Sequence, residues 1–172
     1  VSLLEYSSIR DRLIVLDGWS KTYAMTGWRL GYSLWPSSLI GAATRLAINC
    51  YSCVNAPTQF AGMEALTSPQ TPVDEMCKAF DERRKVIVKE LNNIPGFSCI
   101  EPGGAFYVFP NIKETGIGSL ALQDKLLEEA GVSAISGTSF GALGEGYIRF
   151  SYANSLENIT LAMGRIREYL ST

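Results

Sequence analysis

The sequence predicts an α/β chain, on three observations. Short apolar runs, "RLIVLD" at 12–17 and "YIRFSY" at 147–152 among them, alternate with longer stretches of helical periodicity. The pattern changes around the prolines at 69 and 72, from sparse strands before to a regular helix–strand alternation after. With 47% apolar and 19% charged residues over 172 positions, the chain can bury a real core.

"RLIVLD" reads as a buried strand, and "RLGYSLW" at 29–35 as a second one that Pro36 ends. A helix is expected over 37–48. Asn55-Ala56-Pro57 opens another that runs to about Leu66, with Pro57 tolerated in its first turn. A long amphipathic helix follows over 73–93. Beyond Pro95-Gly96, "FSCI" and "AFYVFP" read as strands flanking the turn "EPGG". A helix over 119–130 leads to the strand "VSAI", the glycine-rich loop "SGTSFGALGEG" and the strand "YIRFSY"; Ser155 then caps a last helix ending near Leu170. Residues 72–172 are thus the size of a small α/β domain. Residues 1–71 hold too little sheet to stand alone and read as the tail of a larger one. The chain opens on Val with a strand-like segment close behind, as a fragment would.

A net charge of −2 with no run of Lys or Arg gives nucleic acid no footing. No apolar run reaches the roughly 18 residues that span a bilayer, and the first residues lack a signal-peptide pattern, so no membrane partner and a cytoplasmic location are expected. The absence of histidine excludes histidine triads, Cys–His dyads and imidazole zinc sites. Cys50 and Cys53 form a C-x-x-C without a second pair and without a thioredoxin-like setting. All four cysteines therefore read as buried thiols, and no metal is expected.

The segment "SKTYAMTGWRLGY" at 20–32 carries the chemistry. Its two charges are Lys21 and Arg29, and no acid occurs from Gly18 to Met63. If the first two strands are antiparallel neighbours, the loop between them brings both cations toward one spot. A guanidinium offers phosphate a rigid fork of donors, and an ammonium beside another cation gives up its proton more readily, as a carbonyl nucleophile must. Spacing alone also fits two solvated cations on a loop. In "YIRFSY", alternation puts Ile148, Phe150 and Tyr152 on the core face and Arg149 on the other, either as a solvated sheet arginine or as an anion holder.

"DGWSKTYAMTGWRLGY" resembles the cofactor-lysine segment of the class I and II aminotransferases, the fold-type I enzymes that use pyridoxal 5'-phosphate. The likeness continues in "NAPTQ", "PGGAFYVFP" and "GYIRFSYA", in the right order along essentially the whole chain, and leans toward the aspartate and aromatic branch. The resemblance implies that Lys21 forms the Schiff base with the cofactor and moves the substrate α-proton. It implies that Arg29 binds the cofactor phosphate and that Arg149 holds the substrate α-carboxylate. Phe106 matches a pocket-lining position, although a core aromatic fits it as well. Two departures stand out. Trp19 is bulkier than expected two positions before the lysine and reads as packing. Gly18 replaces a phosphate-touching serine, which leaves Ser20 as the candidate hydroxyl.

Family members are longer, and their N-terminal half supplies further cofactor contacts. The resemblance therefore implies the C-terminal part of such an enzyme: residues 1–71 as the last strands of the large cofactor domain, and 72–172 as the small domain. It implies amino acid and 2-oxo acid substrates, a homodimeric parent, and no activity for the part alone. Another fold-type I enzyme, such as a C-S lyase or an aminocyclopropane-carboxylate synthase, carries similar segments. So does the aminotransferase-like effector domain of a transcription regulator.

Overall fold

The structure is a computed structural model and describes residues 2–171. The chain divides into two compact units, Val1–Asp74 and Glu75–Thr172.

The first unit is built on an antiparallel pair, β1 (Val15–Gly18) and β2 (Gly31–Leu34), in register from Val15 opposite Leu34 to Gly18 opposite Gly31. Both strands are shorter than the apolar runs that announce them. Arg29 is not the start of β2: it follows a tight turn over Thr26–Trp28 and adopts a left-handed backbone, φ 56°. Helix α1 (Ser37–Tyr51) runs three residues past its expected end, and α2 (Ala56–Thr67) starts where Asn55 caps it, its side chain accepting from the Thr58 N–H. A small core of Trp19, Met25 and Leu30 holds the unit together. Trp19 is 8% exposed, and its indole N–H donates to the Gly62 carbonyl of α2 at 3.0 Å. Gly62 permits that approach, since a β-carbon there would lie 2.4 Å from the Leu30 side chain. The expectation that Trp19 packs is met, and the contact ties α2 to the lysine loop.

The second unit takes in α3 (Thr71–Asn92) from Glu75 onward and carries a three-stranded antiparallel sheet in the order β3-β5-β4. These are Tyr107–Val108, Ile148–Ser151 and Ile135–Ser136. Helices α4 (Ser119–Glu128) and α5 (Leu156–Leu170) complete it. Ile148, Phe150 and Tyr152 are buried with Ile87 and Leu91 of α3, Leu122 and Leu126 of α4, and Met163 and Ile166 of α5. Strand alternation was therefore read correctly, and Ser155 caps α5 by accepting from the Asn158 N–H. "FSCI" is a correction: it makes a single bridge, Ser98 to Asn111, rather than a strand. Pro110 lacks an N–H with which to extend the ladder beside it.

The cysteines are a second correction. Cys50, Cys53 and Cys77 are exposed and only Cys99 is buried. Cys50 sits on α1, which has no buried residue, and Cys53 lies just past its end. Burial pushes the Cys99 thiol up to about 11.

Candidate functional site

The turn between β1 and β2 makes an open cleft of about 430 Å³ lined by Asp17, Gly18, Ser20, Lys21, Thr22, Arg29, Leu30 and Gly31. Antiparallel pairing accounts for this. The end of β1 and the approach to β2 must lie side by side, and the residues between them fold over the gap. Arg29 is steered by its own backbone, and its Nη1 donates to the Thr26 carbonyl at 3.0 Å across the turn. The structure thus brings three sequence candidates, Ser20, Lys21 and Arg29, to one cleft.

Asp17 is the only acid among the described residues lining the cleft, and both its oxygens are engaged. Oδ1 accepts from the Gly18 N–H at 2.7 Å and Oδ2 from the Tyr32 hydroxyl at 3.3 Å. Desolvation, then the Asp17 charge, raises the Tyr32 hydroxyl above its ordinary pKa. The donor set of the cleft is a primary amine, a guanidinium and the hydroxyls of Ser20 and Thr22. That set fits a ligand with a carbonyl to be attacked and a phosphate to be bound, and so it fits pyridoxal phosphate.

In the second unit Arg149 projects from β5 on the side of the sheet away from the core. Its guanidinium carbon lies 4.3 Å from the Tyr107 ring centroid and 4.6 Å from that of Phe140. Among the described residues no carboxylate is within 4.0 Å of it. Phe106, its neighbour in sequence to Tyr107, is half-buried and packs on Phe80 of α3, with ring centroids 6.0 Å apart. Its observed surroundings are those of an aromatic at the edge of the core.

Sequence reasoning missed Tyr107, Phe140 and Glu145. The first was recoverable: its position in "AFYVFP" places it across from β5, on the Arg149 side of the ladder. Phe140 comes from the glycine-rich loop, whose course no periodicity reveals. Glu145 ends that loop, and its Oε1 accepts from the backbone N–H of Ser119 at 3.0 Å and from its hydroxyl at 3.1 Å. These bonds, backbone first, hold the Glu145 carboxyl below its usual pKa.

The profile of aminotransferase class I and II matches residues 3–166. The chain is 48% identical over 162 residues to an aspartate aminotransferase of Pyrococcus horikoshii, covering 93% of this chain and 41% of that protein. It is 39% identical over 176 residues to an aspartate aminotransferase of Geobacillus stearothermophilus, covering 99% and 44%. The crystal structure of an aromatic aminotransferase from Pyrococcus horikoshii superposes with a TM-score of 0.93 at 38% identity, over 99% of this chain and 46% of that one. The chain therefore belongs to the class I and II aminotransferase family, whose members use pyridoxal phosphate, and has the mixed α/β fold of the fold-type I enzymes over part of their length. It spans less than half the length of the relatives it matches.

Proposed function

We propose that the protein is a pyridoxal-phosphate-dependent aminotransferase, transferring an amino group from an amino acid to a 2-oxo acid. This chain is its C-terminal part: residues 1–71 belong to the large cofactor domain and 72–172 form the small domain. The observation that carries the reading is the convergence of Lys21, Arg29 and Ser20 on one cleft, in a chain of the aminotransferase family.

Lys21 Nζ is the attachment point for the cofactor's carbonyl carbon. Arg29 pairs with the phosphate through charge-assisted hydrogen bonds, and the Ser20 hydroxyl adds a neutral donor. Bound pyridoxal phosphate supplies a carbon that accepts amines and a conjugated ring that withdraws electrons. With the cofactor bound, the Lys21 amine would be the base that takes the proton from the substrate α-carbon. Arg149 receives the α-carboxylate edge-on, as two parallel hydrogen bonds from a planar guanidinium. Phe106 borders the substrate on this reading. A cytoplasmic homodimer is the working form, and the chain alone is inactive because it lacks the cofactor contacts of the missing part.

Isotope transfer tests this. The full-length protein, given a 15N-labelled amino acid and an unlabelled 2-oxo acid, should place the label in the new amino acid. Release of the label as ammonia would make it a lyase instead. Ligand binding without turnover would make it an effector domain.

A further inference from the structure

The outer face of the second unit's sheet carries a group of aromatic rings around Arg149: Tyr107, Phe109, Phe140 and Tyr147. Phe140 is 53% exposed, on a loop whose two ends are anchored. Its loop closes on itself where Gly137 and Gly144 cross. A β-carbon at Gly137 would meet the Gly144 carbonyl oxygen at 2.1 Å, and one at Gly144 would meet that of Gly137 at 1.9 Å. The Gly137 N–H donates to the Tyr147 carbonyl at 2.9 Å, and Glu145 pins the far end to the start of α4. The Phe140 ring stands edge-on to Phe109, with centroids 6.1 Å apart and planes at 83°. Phe109 in turn stacks on Tyr147 at 5.3 Å and 7°.

The result is a fixed ring near the Arg149 guanidinium, with Tyr107 supplying a second. Two ring contacts oppose swinging of the side chain but offer no hydrogen-bond acceptor at its edge. A guanidinium held in this way keeps its N–H fork for an outside partner and loses less rotamer freedom when that partner arrives.

We propose that Phe140 and Tyr107 are positioning residues that clamp Arg149 so that its edge is set for a carboxylate. The inference rests on the reading of Arg149 as the substrate-carboxylate residue. Phe140 also links the glycine-rich loop to substrate affinity: a change that displaces the loop weakens carboxylate binding without touching Arg149.

NMR of the Arg149 Nε–Hε group in the 15N-labelled chain reads the clamp directly, with the resonance assigned by its loss in Arg149→Lys and acetate as the carboxylate probe. In the wild type the resonance should be displaced by ring currents and should move further as acetate is added. Phe140→Leu should reduce the displacement, with Tyr107 keeping its share, and weaken acetate binding by about two- to fivefold, while Phe140→Tyr should preserve both. An unchanged resonance and midpoint in Phe140→Leu would overturn the clamp. A displaced resonance that Phe140→Leu reduces but acetate never moves would leave the ring contacts standing. That result would overturn the carboxylate reading, and the positioning role with it.

Discussion

At the scale of single residues, the chemistry follows from what surrounds each charge. Asp17 lines the Lys21 cleft, where its carboxylate accepts from a backbone N–H and the Tyr32 hydroxyl and so turns both oxygens toward β1 and β2 partners. Glu145 is likewise an acceptor, for the first N–H of α4. Its folded pKa lies below the unfolded value, so its contribution is present above the ordinary carboxylate value of 4.5 and is lost as pH falls through the folded one. Glu145→Gln should therefore lower the melting temperature at neutral pH, and the gap from wild type should close as the solution is acidified below that value. A gap that does not change with pH would show that the charge plays no part. The convergence of Lys21 and Arg29 was legible in the sequence because antiparallel pairing of the two strands brings the ends of their connection together. The left-handed backbone of Arg29 was not, since only the closure of the turn imposes it on a non-glycine residue.

At the scale of elements, helices were read more faithfully than strands. Asn55 and Ser155 announce α2 and α5 because a capping side chain satisfies an N–H that the helix itself leaves open. The strands came out short, since an apolar run says little about how far a ladder extends. "FSCI" illustrates this: Phe97 and Cys99 are buried, yet Ser98 alone makes a bridge. The glycine-rich loop was visible as composition only. Its course depends on the crossing of Gly137 and Gly144, a contact seven residues apart that follows from no local preference. Because that contact is backbone against backbone, Gly144→Ala should destabilise the second unit by at least the 1–3 kcal/mol typical of overpacking, about what a thermal melt resolves. A variant melting like the wild type would mean the loop yields without cost.

At the scale of the whole molecule, the two units differ in how well they cover their apolar side chains. The second buries a contiguous core between sheet and helices. In the first, α1 buries no side chain at all, and Leu16, Leu46 and Phe60 are 75%, 64% and 69% exposed. This corrects the reading of "RLIVLD" as a buried strand: Ile14 is 41% exposed as well, because two strands alone leave the faces of the pair uncovered. Exposed apolar area of this kind drives association in water. Sedimentation of the 172-residue chain should accordingly show self-association that weakens in mild denaturant; a stable monomer would contradict this. The account as a whole turns on Lys21. Borohydride reduction of the full-length protein with pyridoxal phosphate bound, followed by peptide mapping, should place a pyridoxyl group on the Nζ of Lys21. A pyridoxyl group on any other lysine would contradict the account.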